Sequence, residues 1–185
     1  MRTKLAIDQG HVCCYCNGTI ARGNFHIEHL RPRTFHERLT YRWTNLLASC
    51  QTSRAAPGES AVIKTQSHCG DAKGHWFEEN VTVSPLDPRV ESLFRYTLRG
   101  KVFPSKTLRG RKASVQTTID KLNLNAPVLV ARRERILRKA SKDASRMTRR
   151  DWLARYLRPN SDGLLQEFWA ALQYNYDKHW SERFA

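Results

Sequence analysis

Residues 26 to 29 read His-Ile-Glu-His, a carboxylate flanked by imidazoles, and they lie between a Cys-x-x-Cys pair (Cys13, Cys16) and two later cysteines, Cys50 and Cys69. Asn45 stands just ahead of the third cysteine. Phosphodiester hydrolysis requires a deprotonated water and a cation near the leaving oxygen; a histidine titrates near neutrality, and a carboxylate can hold Mg²⁺ beside it. Glu28 and His29 supply both kinds of group. On an extended strand His26 and Glu28 share a face, whereas Glu28 and its neighbour His29 reach one site only where the strand twists or bulges.

The cysteines suit a different task. Structural zinc takes four soft ligands in a tetrahedron, and two cysteines separated by two residues can bite one ion from a single turn. Cys13 and Cys16 meet that need. Cys50 and Cys69 are separated by eighteen residues, so their approach depends on the intervening segment folding back, and His11, His68 or His75 could replace one cysteine. Cys14 is the leftover of five. An odd cysteine count without a secretory h-region points to a reducing compartment, the cytoplasm, and to metal ligation rather than disulfides. No stretch approaches the roughly 20 apolar residues needed to span a bilayer, so no membrane association is expected.

The elements that must position these residues follow from local patterning. At 185 residues the chain accommodates one domain, or a small zinc-stiffened unit followed by a helical one. Residues 2 to 9 predict a short helix ending at Gly10, and Asn17-Gly18 supplies a turn with φ > 0. Phe25 to Leu30 reads as a strand stopped at Arg31-Pro32, where proline removes a ladder donor. The segment Tyr41 to Ser49 should pack under the site. Between Cys50 and Cys69 a polar insertion with Pro57-Gly58 reads as a loop with a short helix at Ala61 to Thr65. Val81 to Phe103 predicts extended structure and a hairpin at Arg99-Gly100. Lys112 to Leu122, Val128 to Lys142 and Thr148 to Leu157 predict helices, and Leu165, Phe168, Trp169, Leu172 and Tyr176 form an i, i+3, i+4, i+7 stripe. Trp180 and Phe184 lie beyond it and, if exposed, would suit partner docking.

The blocks Cys13-x-x-Cys16, His26-Ile-Glu-His29, Trp43-Thr-Asn45-Leu-Leu-Ala-Ser-Cys50 and Cys69-Gly-Asp-Ala-Lys73-Gly74 together resemble the HNH nuclease (ββα-metal) superfamily with a zinc-ribbon frame, over residues 13 to 74. That resemblance implies that His29 is the general base activating water, that Glu28 is a ligand of a catalytic Mg²⁺ or Mn²⁺, and that Asn45 orients the base or its loop. It implies that His26 is a further ligand or supports the metal shell. Many HNH proteins carry an asparagine or histidine ligand directly after the last cysteine, but here Gly70 stands there. His68 or Asp71 would take its place, and His68 is preferred because imidazole suits the role and it adjoins Cys69.

A narrower resemblance, over about residues 10 to 137, is to PtuB-like proteins. These are the HNH component of Septu and some retron anti-phage systems. It is carried by the insertion before His68-Cys69-Gly70, by Arg31-Pro32-Arg33, by the Tyr96 and Gly100 hairpin, and by Thr118 to Asn125 followed by Arg132 and Arg133. It implies a nuclease effector restrained in a complex with a PtuA-like ATPase.

The formal charge of +15 and a pI near 10.1 make a polyanion the expected partner. Between Ala131 and Arg158 eleven Lys or Arg face three acids, which places more than half of the net charge there. Such density grips phosphates by releasing counterions, without reading sequence. Arg132, Arg133 and Lys139 in this tail, and Arg31, Arg33, Arg38 and Arg42 near the catalytic strand, are the candidate nucleic-acid contacts. The C-terminal aromatic stripe, at regular helical spacing, reads as packing rather than as a base-stacking platform.

The sequence therefore predicts an α+β protein: a zinc-stapled ββα-metal HNH core over 1–80, then a β hairpin and a basic helical extension over 81–185. The expected activity is divalent-metal-dependent phosphodiester cleavage, with zinc at Cys13, Cys16, Cys50 and Cys69. DNA and tRNA are not discriminated as substrates. A non-catalytic zinc-ribbon binding module is the alternative, and a stand-alone restriction enzyme is disfavoured because no separate specificity module is visible.

Overall fold

The computed structural model describes residues 1–52, 67–108 and 110–184; the helix expected at Ala61 to Thr65 lies outside them. It is a mixed α/β protein with two small antiparallel sheets. Strand β1 (Phe25–His29) pairs with β2 (Leu46–Cys50) in a register that sets His26 opposite Ser49 and Glu28 opposite Leu47. The second sheet pairs β3 (Phe94–Tyr96) with β4 (Val102–Pro104). The helices are α1 (Arg2–Asp8), a single turn α2 (Gly70–Lys73), α3 (Lys112–Lys121), α4 (Pro127–Asp143), α5 (Arg149–Tyr156) and α6 (Trp169–Asn175). No described helix is long and apolar enough to cross a membrane.

Two strands alone leave open edges with unpaired backbone groups. At Ala48 the edge of β2 is closed by a side chain: the Gln9 amide accepts from the Ala48 N–H at 2.8 Å and donates to its carbonyl at 2.9 Å, and the Cys14 N–H donates to the same carbonyl at 3.0 Å. This seats α1 against the sheet, with Leu5 and Ala6 buried.

The segments 1–80 and 81–185 share one buried cluster, which runs from Leu5, Cys13 and Ile20 to Leu137, Trp152 and Trp180. Backbone bonds tie them directly: the Cys69 N–H donates to Leu122 O at 2.8 Å, Leu165 to Gly10 O at 2.9 Å, and Phe168 to Asn17 O at 2.7 Å. These last two bonds also explain a departure from the periodicity. The helix expected from Leu165 starts only at Trp169, because the N-terminal segment takes the N–H groups of Leu165 and Phe168 and Phe168 adopts a left-handed conformation, φ 60°.

Arg133 corrects the sequence reading. Rather than facing nucleic acid it is 1% exposed, donates to the carbonyls of Gly100 and Leu124, and lies over the Tyr96 and Phe168 rings. Gly100, at φ 78° in the β3–β4 turn, abuts the Val130 carbonyl so closely that a Cβ would collide with it. Arg133 thus pins the hairpin to α4. Trp180 is likewise fully buried and cannot be a docking residue; it meets Trp152 edge-on at 5.6 Å, and Phe184 packs on the same ring.

Trp152 is the centre of this packing. It is fully buried, stacks on Tyr176 with centroids 5.1 Å apart, and donates its indole N–H to Ala140 O at 2.8 Å. Trp152→Ala is expected to lower unfolding free energy by about 3–5 kcal/mol, read from equilibrium denaturation.

Candidate metal centre and catalytic cleft

Three separated stretches deliver the four sulfurs. A bridge between Val12 and Thr19 closes the first turn, with Asn17 at φ 56° and the Gly18 N–H donating to Cys16 Sγ at 3.3 Å. Cys50 ends β2, and Cys69 precedes α2 at φ 57°. The sulfurs of Cys13, Cys16, Cys50 and Cys69 all lie within 4.8 Å of one another, and Cys16 and Cys50 are 3.8 Å apart. A tetrahedron with metal–sulfur arms of about 2.3 Å has an edge of about 3.8 Å, so the four residues fit one ion. None is in a disulfide. Cys14 is not part of the cluster, and burial pushes its thiol well above the usual range.

His68 sits beside this centre. Its Nδ1 is 3.3 Å from Cys69 Sγ and 3.7 Å from Cys50 Sγ, and burial holds the imidazole below its ordinary pKa. The group preferred from sequence as a catalytic-metal ligand is thus aimed at the sulfurs. The alternative, Asp71, lies at the other cluster: Oδ1 is 3.7 Å from His26 Nδ1, while Oδ2 accepts from the Thr52 N–H at 2.6 Å.

On β1 the shared face of His26 and Glu28 brings Nε2 to 3.2 Å from Oε2. The hydrogen bond to Glu28 raises the pKa of His26 against the opposing effect of burial. Gly70 lies directly against this pair, because a Cβ there would be 2.5 Å from both Glu28 Oε2 and His26 Nε2. The space that a side chain after the last cysteine would fill is therefore taken by His26. Glu28 is only 6% exposed, and its Oε1 is paired with Lys73 Nζ at 2.7 Å; that ammonium also donates to His29 O at 2.9 Å. Lys73 escaped the sequence reading as a site residue. Its one visible signal is a spacing of four after Cys69, the turn of helix that swings it back to β1.

His29 ends β1, and its Nε2 lies 3.0 Å from Thr40 O. A carbonyl only accepts, so Nε2 carries the proton and the neutral ring has its lone pair on Nδ1. Asn45 holds the loop that supplies this carbonyl: Oδ1 accepts from the Arg31 N–H at 2.8 Å, and Nδ2 donates to Arg31 O at 3.0 Å and Leu39 O at 3.2 Å. Glu28 and His29 line an open cleft of ≈ 310 Å³ together with Arg33, Thr34 and His75. His75, considered from sequence only as a zinc ligand, instead meets Thr34 Oγ1 at 3.1 Å through Nδ1.

The candidate cationic contacts divide. Arg33, Arg38, Arg42 and Lys139 are exposed, without an acidic partner among the described residues. Arg31 is paired with Glu79 at 2.7 Å and lies over the Phe77 ring, and Arg132 is paired with Glu167 at 2.7 Å.

No protein-family model matches the chain. It is similar to the "Retron Vc95 putative HNH endonuclease" of Vibrio cholerae serotype O1 biovar El Tor, 31% identical over 141 residues, 73% of this chain and 62% of the relative. That likeness supports the HNH superfamily for this chain. The matched region spans under two thirds of the HNH relative's own length.

Removing one partner of a buried ion pair leaves the other charge uncompensated. Lys73→Met is expected to cost about 3–5 kcal/mol of stability through the unpaired Glu28, measured by chemical denaturation, while Lys73→Met combined with Glu28→Gln recovers much of that loss.

Proposed function

We propose that this chain is a divalent-metal-dependent HNH endonuclease, the nuclease effector of a prokaryotic anti-phage defence complex. The observation that carries the reading is the cleft at the end of β1, where His29, its Nε2 committed to a carbonyl, stands beside the buried Glu28. The retron relative supports the defence context. The PtuA-like ATPase partner follows from the resemblance to PtuB-like proteins.

In this reading the four cysteines hold structural zinc, whose tetrahedral preference for thiolates matches the donor set. Glu28 Oε2, with His26 beside it and Asp71 at the other ring nitrogen of His26, would hold the catalytic Mg²⁺ or Mn²⁺. That ion would supply positive charge to the leaving oxygen. Lys73 occupies Oε1 and so keeps the carboxylate turned toward His26. The Thr40 carbonyl fixes the His29 tautomer, and Nδ1 takes a proton from water in the cleft. The water oxygen bonds to phosphorus as the bond to the 3′ oxygen breaks, and the departing oxygen takes a proton from solvent, leaving a 5′ phosphate and a 3′ hydroxyl. Asn45 keeps the loop, and with it the Thr40 carbonyl, in register with His29.

Chelation or Cys16→Ser is expected to remove zinc, measured by elemental analysis, together with a large fall in Tm, because binding energy at a structural site is folding energy. Cleavage of plasmid DNA and of total tRNA with Mg²⁺ or Mn²⁺, for the chain alone and co-expressed with the ATPase, tests the activity. His29→Ala should slow cutting by about 10²–10⁴-fold. Equal behaviour of wild type and His29→Ala in every condition, with folded zinc-loaded protein, would sink the catalytic reading and leave a zinc-stapled binding module.

A further inference from the structure

Among the described residues, the large aromatic side chains that stand exposed are Phe35 at 71%, Tyr41 at 83% and Trp43 at 46%. All three fall within nine consecutive residues of the loop that joins β1 to β2. Single exposed apolar groups are ordinary, but three large exposed rings on one short loop ask for an occupant. Arg33, Arg38 and Arg42 alternate with them along the chain, each exposed and without an acidic partner among the described residues.

The loop is held rather than loose. Asn45 bonds to Arg31 and Leu39, the Thr40 carbonyl accepts from His29, and short 3₁₀ turns at Glu37–Leu39 and Trp43–Asn45 fix its backbone. It is also continuous with the cleft. Arg33 and Thr34 line the cleft, and the Phe35 ring stands edge-on to His75, another lining residue, with centroids 6.3 Å apart. Rings presented on a rigid loop beside a phosphodiester site, interleaved with free guanidinium groups, match what an unpaired strand offers: base faces to stack and phosphates between them. A duplex hides its base faces and offers such rings nothing.

Resting on the nuclease reading of the adjacent cleft, we infer that this loop is a stacking platform which selects single-stranded nucleic acid, presenting unpaired bases to Phe35, Tyr41 and Trp43 while Arg33, Arg38 and Arg42 hold the backbone. Stacking reads faces common to DNA and RNA bases, so the selection is for unpaired structure rather than for one sugar.

The test measures binding, so it does not depend on cleavage. Fluorescence anisotropy of a labelled mixed-sequence oligonucleotide, as a single strand and as its duplex, is read with the zinc-loaded His29→Ala chain. The single strand should bind more tightly than the duplex by about tenfold or more, and Tyr41→Ala or Trp43→Ala should weaken single-strand binding by about 5- to 150-fold. Trp43→Phe should retain binding while Trp43→Leu loses it, a split that apolar packing alone does not produce. Circular dichroism and Tm confirm that the variants fold, which solvent-exposed positions should allow. Equal affinity for strand and duplex, or ring variants that bind the strand as the parent does, would overturn the platform. So would ring variants that lose only co-purification with the ATPase, which would make the loop a protein interface. Loss of the platform would leave the His29 cleavage test standing, and failure of that test would leave the binding result intact.

Discussion

The convergence of four sulfurs at one point is the constraint from which the site follows. Cys13 and Cys16 come from a tight turn, Cys50 from the end of β2, and Cys69 from the residue before α2. A four-residue helix has no stability of its own in water, since nucleating a helical turn is unfavourable. It exists here because Cys69 is fixed by the sulfur cluster and by the Leu122 carbonyl, and because the Gly70 N–H donates to the buried Ser49 hydroxyl at 3.0 Å. From that anchor Gly70 is pressed on His26 and Glu28, Asp71 reaches His26, and Lys73 reaches Glu28 and the carbonyl of His29. The cysteine centre and the carboxylate–imidazole cluster are thus mechanically one object.

A second polar network acts at the end of β1. Asn45 uses both ends of its amide on the backbone of the β1–β2 loop, which keeps the Thr40 carbonyl where His29 needs it. Each buried polar group in this region has a partner of the right kind, and low local dielectric strengthens such bonds while making any loss costly. The same clamp stiffens the segment that carries Phe35, Tyr41 and Trp43.

Charge is more finely allotted than the total of +15 suggests. In the basic tail, Arg133 is buried as a structural pin, Arg132, Arg138 and Arg155 face Glu167, Glu134 and Asp143, and Arg149 donates to the Tyr176 hydroxyl at 2.7 Å. These arginines hold the extension together, and exposed cations such as Lys139 are left to interact with solvent or a polyanion. A charge count along the sequence does not separate the two groups, because an arginine satisfied by carbonyls and aromatic rings has the same local signature as one facing water.

Features governed by neighbours in the chain were legible from the residues alone. The Cys-x-x-Cys turn, the strand at Phe25, the shared face of His26 and Glu28, the hairpin at Gly100 and the helices of the extension all follow from short-range sterics and periodicity. Thr148 caps α5 by accepting from the Asp151 N–H at 3.2 Å. What tertiary structure decided were the choices among chemically equivalent candidates. His68 and Asp71 are both plausible ligands by type, but the fold turns one to the sulfurs and the other to His26. Arg133 reads as a surface cation, and Lys73 shows no role of its own, until long-range packing buries them. Leu165 and Phe168 fit a helical stripe until distant carbonyls claim their N–H groups. Local sequence determines the conformations open to each segment; only contacts between segments far apart in the chain settle which partner each polar group finds.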